Sequence, residues 1–395
     1  MADAFLRYIQ IYGSVSFKNK SGEDIKNEIE KIWEELELLQ EKEAINLKLQ
    51  PEEERKLSFF EKMFSDNPEY INVAFVHDKT SGESGWTYGH ELGRLHVEKV
   101  FGNKIHTTAY EHAVNAPEEV IEHAIREGNH VIFTTSPKLL SSSLSVAVKH
   151  PDVMILNCSL NKPHRYIRTY YARMYEAKFI IGAIAGTLTE NGKVGYLCDY
   201  PIYGQIAGIN AFALGVQMVN PRAQVYLEWS CLGGVHDALC RLKERGISLI
   251  SSQDLSKNSD NERKPFGLFR FDENGQTNLA MPVWHWGVYY EKLIQSILNR
   301  TMQLQYESSN KALNYYWGMS AGVIEIIYSK NLPNAVRKLA ELLESTLCSG
   351  VYNPFCGPLA IQSGEYIDTE GEGLTLEEVI TMDCLLENII GTIPE

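Results

Sequence analysis

From Tyr70 onward, short apolar strands alternate with amphipathic helices in two successive series, and this alternation constrains the fold more than any other feature of the chain. In the first series, strands are predicted at 71–77, 104–110, 130–135 and 152–158, with helices near 87–101, 117–127 and 139–149. Gly, Pro and Ser punctuate each join. The segment from about Tyr170 through Leu188 runs into a strand at Lys193–Cys198, and a second series follows: helix 203–218, strand 224–229, helix 235–245 and strand 247–252. Such alternation specifies doubly wound parallel sheets. Two series give two α/β lobes with a cleft between them.

After Asp254 a polar loop, Ser256–Arg263, interrupts the pattern. Short strands at 266–271 and 279–284 follow, then a helix near 287–299, a strand entry at Tyr315–Met319 and a helix over 333–347. A chain that returns to its first lobe after building the second crosses the hinge more than once. The expected division is 70–188 with 285–312 in the first lobe and 189–284 with 313–395 in the second. Residues 1–69 stand apart as an N-terminal helical extension. There, Ile25, Ile29, Ile32, Leu36 and Leu39 recur at helical spacing in an acidic background. That stripe suits packing on the main body, or a homodimer or partner-protein contact.

The chain has 395 residues, 44% of them hydrophobic, enough to bury a large core. A net charge of −14 disfavours nucleic acid and anionic membranes as partners. The first 30 residues carry Asp3, Glu23, Asp24, Glu28 and Glu30 and no long apolar run, and the first cysteine is Cys158. With neither a secretory signal nor a lipobox, the expectation is a cytoplasmic protein, or a membrane-associated one if the N-terminus is not native.

Catalytic and cofactor motifs are missing: no GxGxxG after the first strand, no phosphate loop, no HExxH and no GxSxG elbow. No cofactor is expected. His77, His90, His96, His106 and His112 crowd one region, but their spacing does not converge on a metal, so surface histidines are expected. Of the carboxylates Asp78, Glu176, Asp199 and Asp254, Asp199 and Asp254 end predicted strands of the second lobe. There a carboxylate would face the cleft. Aromatic residues crowd the same region: Trp86, Tyr88, Tyr170, Tyr171, Tyr200, Tyr203, Trp284 and Trp286. Together they favour a flat, weakly charged ligand such as a purine.

These residues also carry a resemblance. Gly85-Trp-Thr-Tyr-Gly-His90 with Gly93-Arg94, Ile132-Phe-Thr-Thr-Ser136, Ala172-Arg-Met-Tyr-Glu176, Lys193-Val-Gly-Tyr196, Gly208-Ile-Asn-Ala-Phe212, Trp286-Gly-Val-Tyr-Tyr290, Trp317-Gly-Met319 and Asn353-Pro-Phe-Cys-Gly-Pro358 occur in family order. From Tyr70 to about Gly357 the chain resembles the basic membrane protein family of ABC-transporter solute-binding proteins. The resemblance implies a type I periplasmic-binding fold that closes on purine nucleosides or nucleobases. By motif position, Trp86 would stack on the base, Ser136 and Asn157 would approach it from the first lobe, and Asp254 from the second. Trp286 lies in the hinge-side motif. Tyr88, Thr135, Tyr171, Asp199 and Tyr203 complete the expected ligand-binding set.

The chain departs from that family in the cleft. Pro137 stands where relatives often have an aromatic, Cys231-Leu-Gly-Gly234 replaces an aromatic second-lobe segment, and His285 replaces an acidic residue before the hinge tryptophan. The expected function is a non-enzymatic solute-binding protein that closes over a purine-like molecule, as a non-anchored cytoplasmic binder or sensor. The alternatives are an ABC-transporter substrate-binding component contacting membrane subunits, a ligand-responsive transcriptional regulator, and a nucleoside-cleaving enzyme using Asp254 and Asp199.

Overall fold

The computed structural model describes residues 70–160, 166–201, 204–252, 267–272, 275–298, 315–350, 352–367 and 373–394. The expected N-terminal helices, Tyr203 and Asp254 lie outside the described residues. From Ile71 the elements run β1 (Ile71–Val76), α1 (Gly85–Phe101), β2 (Ile105–Tyr110), α2 (Pro117–Arg126), β3 (Val131–Thr134), α3 (Leu140–Lys149), β4 (Met154–Cys158) and β5 (Arg168–Ala172). Next come α4 (Met174–Leu188), β6 (Lys193–Cys198), α5 (Gln205–Val219), β7 (Gln224–Trp229), α6 (Val235–Glu244), β8 (Leu249–Ser251), β9 (Leu268–Asp272) and β10 (Gly275–Trp284). The chain continues through α7 (Trp286–Leu298), β11 (Tyr315–Trp317), β12 (Ile324–Tyr328) and α8 (Asn334–Cys348). It closes with β13 (Leu359–Ala360), β14 (Tyr366–Ile367), α9 (Leu376–Ile380) and β15 (Ile389–Ile390).

The first sheet has the order β2-β1-β3-β4-β5-β11 and is parallel throughout. Its central strands are buried along their length, as in β1 and β3, because helices cover both faces. The second sheet has the order β15-β7-β6-β8-β9-β10-β12. Its pairs β15/β7, β7/β6 and β6/β8 are parallel, whereas β8/β9, β9/β10 and β10/β12 are antiparallel. Pro282 is tolerated inside β10 because β9 pairs only as far as Ala280, so the missing N–H leaves no partner carbonyl empty on that side. Among the described residues no helix is long and apolar enough to cross a membrane.

Two elements depart from the expected lobe boundaries. Strand β11 pairs with β5 through Tyr315↔Tyr170, so the second stretch of the first lobe extends past 312 to Trp317. Helix α4, expected in the first lobe, packs on α5 of the second. A methyl group on Gly182 would run into the Phe212 carbonyl oxygen, and one on Gly215 into that of Phe179. Glycine on each helix thus lets the two backbones touch, and both helices are apolar on almost every side.

The chain crosses between lobes at Arg173, at His285 and at Gly318. Hydrogen bonds tie these crossings together. The Arg173 N–H donates to the Trp317 carbonyl at 2.7 Å, and the His285 N–H to that of Val323 at 2.9 Å. Glu176, at the start of α4, accepts from the Met319 N–H at 2.7 Å and lies 3.3 Å from the Arg173 guanidinium. Tyr289 stacks on Trp317 with centroids 4.7 Å apart and donates its hydroxyl to the Tyr171 carbonyl at 3.1 Å.

Candidate ligand cleft

In doubly wound sheets, ligands bind beyond the carboxyl ends of strands that flank the point where strand order reverses. In the first sheet that point lies between β1 and β3, with β2 on one side and β4 on the other. In the second it lies between β6 and β8. The residues leaving these four strands define the two cleft walls: His77-Asp78 and Thr135-Ser136 in the first lobe, Asp199 and Ser251-Ser252 in the second.

Trp86 stands over the first of these points. Ser84 caps α1 by accepting from the Thr87 N–H, which places Trp86 in the opening turn of the helix and not in the loop before it. Its indole Nε1 donates to the Thr135 carbonyl at 2.6 Å, so a side chain following β1 is tied to the end of β3. Thr135 itself is fully buried. Its hydroxyl faces the Val76 carbonyl at 3.2 Å and His77 Nδ1 at 2.9 Å, so its role is to join the two strands and orient Trp86.

Around Trp86 the structure gathers three further aromatic rings. Trp86 and Tyr171 are near parallel, 6.2 Å apart with planes 26° off. Trp284 and Trp286 are parallel within 4° at 6.4 Å. Trp86 stands edge-on to both, at 79° and 5.5 Å to Trp284 and 75° and 5.4 Å to Trp286. The result is an aromatic box built from α1, β5, β10 and α7. Trp286 is 3% exposed and stacks on His90 at 4.2 Å, which makes it the floor. Tyr88 is half-buried and makes no ring contact with the box among the described residues.

A polar chain lies under that floor. Tyr170 and Tyr290 share a hydroxyl–hydroxyl hydrogen bond at 2.9 Å, and the Tyr290 hydroxyl meets His90 Nδ1 at 2.6 Å. Burial, reinforced by nearby His77, holds the His90 imidazole well below its ordinary pKa, so it is neutral at pH 7. His77 and His90 are 1% and 0% exposed, which corrects the expectation of surface histidines for these two. The physical reason is that each finds a hydroxyl partner inside. Gly93 allows this packing, since a methyl group there would press against Trp286 and Tyr290.

On the adjacent β4, Asn157 is fully buried and its Nδ2 donates to Thr134 Oγ1 at 2.8 Å and to the Ser136 carbonyl at 3.0 Å. The Ser136 hydroxyl caps the short turn that follows by accepting from the Lys138 N–H. In the second lobe, Asp199 accepts from the Ser230 hydroxyl at 2.6 Å. The buried hydroxyls of Ser251 and Ser252 have no hydrogen-bond partner among the described residues, and the same holds for Ser159 in the first lobe. Gly204 of the second lobe meets Leu160 of the first so closely that a methyl group on Gly204 would overlap the leucine side chain. No group of three or more His, Cys, Asp and Glu among the described residues is placed to hold a metal ion.

The structure thus brings Trp86, Thr135, Ser136, Asn157, Tyr171 and Trp286 together on one wall and sets Asp199 on the other. Trp284 was visible in the sequence only as one of many aromatics. Its position at the end of β10, beside a hinge crossing, is what places it in the box.

Two sheets joined by three crossings, with strand ends and aromatic rings facing a common cleft, define a two-lobed ligand-binding protein. A solute-binding protein of an ABC transporter system from Conexibacter woesei shares this architecture, with a TM-score of 0.55 at 14% identity over 72% of this chain and 98% of that one. The family model described as ABC transporter substrate-binding protein, PnrA-like, matches residues 70–239. A purine-binding protein of Brucella abortus is 30% identical over 342 residues, covering 83% of this chain and 95% of that protein. A protein of Haloferax volcanii named for glucose binding in an ABC transporter is 24% identical over 341 residues, covering 82% of each. The chain belongs to the Bmp family of ABC transporter substrate-binding proteins, which are binding proteins and not enzymes.

Proposed function

We propose that this protein is the substrate-binding component of an ABC transporter and that it closes its lobes over a purine-like molecule, a nucleobase or nucleoside. The observation that carries the ligand class is the near-parallel pair of Trp86 and Tyr171, with ring centroids 6.2 Å apart and planes 26° off. A flat ring lying about 3.5 Å from each neighbour needs about 7 Å between parallel walls, so under this reading the two rings align and move apart by roughly 1 Å or more as a planar ligand enters. A sugar ring with tetrahedral carbons and axial substituents is thicker and demands a larger opening. The name of the Brucella relative supports the planar ligand, and that of the Haloferax relative gives the competing class.

Family membership also favours the transporter role over the cytoplasmic sensor expected from the sequence. The partners under this reading are the transporter's membrane subunits, and fractionation of the native protein with the membrane or exported fraction is the expected outcome. Calorimetric titration with adenine, guanine, hypoxanthine, their nucleosides and D-glucose tests the ligand. Saturable binding of one or more purines is expected; glucose binding with no response to any purine would overturn the reading.

A further inference from the structure

Helix α6 carries His236 and Cys240 four residues apart, the spacing that sets two side chains one above the other on a helix face. Zinc enzymes hold their metal through two histidines at the same spacing. His236 is exposed and Cys240 half-buried, while Ala238, Leu239 and Leu242 turn another face of the helix into the core. The pair thus meets solvent from a helix that is itself held to the sheet.

The separation of the two donor atoms fits a metal ion. His236 Nε2 lies 3.7 Å from Cys240 Sγ. With about 2.1 Å from zinc to an imidazole nitrogen and about 2.3 Å to a thiolate sulfur, a tetrahedral angle at the ion sets the two donors about 3.6 Å apart. Almost no movement is needed to chelate. The cations nearest in sequence are engaged elsewhere: Arg241 Nε donates to Glu228 at 2.7 Å, Arg245 lies 3.4 Å from the same carboxylate, and the Lys243 ammonium sits 3.6 Å from the centre of the Phe271 ring. Asp237 and Glu244 add negative charge to the helix.

We propose that His236 and Cys240 form a bidentate surface site for a soft divalent cation, zinc above all. Imidazole with thiolate suits zinc, whereas magnesium and calcium take oxygen ligands. On binding, the Cys240 thiol releases its proton to water as the Zn–S bond forms, and the His236 imidazole contributes a ring-nitrogen lone pair. No group of three His, Cys, Asp or Glu is placed to hold a metal among the described residues, so water completes the shell. The ion staples the first two turns of α6, the helix that leads out of the turn where the Cys231 N–H donates to the Asp199 carbonyl at 3.3 Å. The site does not depend on which solute the cleft takes.

The test follows alkylation of individual cysteines by iodoacetamide in the reduced full chain, read by peptide mass spectrometry with and without zinc chloride. Exposed Cys231 and Cys356 serve as references in the same sample. Losing even an outer-shell partner of a metal costs about 10- to 100-fold in affinity, so His236→Ala, an exposed change to a good helix former, should abolish most of the zinc effect. In wild type, zinc is expected to slow alkylation at Cys240 by about tenfold or more while both references stay unchanged, and magnesium is expected to do nothing. Cobalt should give wild type a thiolate-to-metal charge-transfer band that His236→Ala and Cys240→Ser lack. Equal slowing at Cys231 or Cys356 would overturn the site, as would full zinc protection of Cys240 in His236→Ala.

Discussion

The indole of Trp86 donates to the carbonyl oxygen of Thr135 at 2.6 Å, spanning the crevice between β1 and β3. This bond makes the stacking surface part of the sheet edge. A ring anchored at its polar end loses little freedom when a ligand arrives, and preorganisation of that kind improves affinity without adding contacts. Trp86→Ala removes the wall. Base–aromatic stacking is worth about 1–3 kcal/mol, so the variant is expected to lose about 5- to 150-fold in purine affinity by calorimetry. Unchanged affinity would show that the ligand rests elsewhere.

Trp86→Phe separates stacking from anchoring. The phenyl ring still presents a face, but the Thr135 carbonyl loses its donor, at a cost of about 1 kcal/mol. A loss of roughly fivefold in affinity is expected, smaller than that of the alanine variant. If the two variants bind equally weakly, the anchor and not the face dominates.

Much of this was legible in the sequence because strand and helix periods are local. Strand β7 and helix α6 lie almost where alternation puts them. The ends of β1 and β3 could be named as cleft residues from topology alone. What escaped depends on long-range return of the chain. Strand β5, Arg168–Ala172, abuts α4 with almost no intervening turn, so the two read as one segment. Helix α4 is apolar on all sides, and nothing in its pattern says which sheet it covers; the glycine contacts with Phe212 and Phe179 decide that. Strand β12 alternates buried and exposed residues, but its exposed Ile327 breaks the apolar–polar alternation that would announce it. The box itself needs rings from four elements far apart in sequence, and no spacing rule reports that convergence.

The buried His90 predicts a pH effect. Its folded pKa is depressed well below that of the unfolded chain, so the unfolded state binds the proton first and the stability difference is present above about pH 6.5 and lost as pH falls below it. One such group gives a slope of up to ~1.4 kcal/mol per pH unit in that range. Urea unfolding at pH 7.5 and 5.5 should show a fall in stability for wild type and a flatter profile for His90→Gln. Parallel profiles would mean that His90 accepts its proton inside the fold.

At the hinge, Gly318 lies so close to the Glu176 carboxylate that a methyl group would displace it. Burial raises the Glu176 pKa, opposed by Arg173 and by the hydrogen bond from the Met319 N–H. Gly318→Ala is expected to cost about 1–3 kcal/mol by overpacking, read as a lower urea midpoint. Because the displaced carboxylate joins α4 to the third crossing, the variant should also bind ligand more weakly at temperatures where it remains folded. A variant with wild-type stability would show that the carboxylate has room to move aside.

Gly204 tests the contact between the lobes. It precedes α5 with φ of 78°, a conformation that glycine adopts freely, and it meets Leu160 of the other lobe. Gly204→Ala introduces backbone strain and a methyl group directed at the leucine, so the approach of the lobes is penalised at their contact point. A contact between the lobes favours the form in which they are closest, and a ligand shifts the balance by its differential affinity for the two forms. Weaker purine binding is therefore expected, by about tenfold for a penalty of about 1.4 kcal/mol. The double variant Gly204→Ala with Leu160→Ala makes room for the methyl group and should recover part of the loss. No recovery would assign the defect to strain at Gly204 and not to the meeting of the lobes.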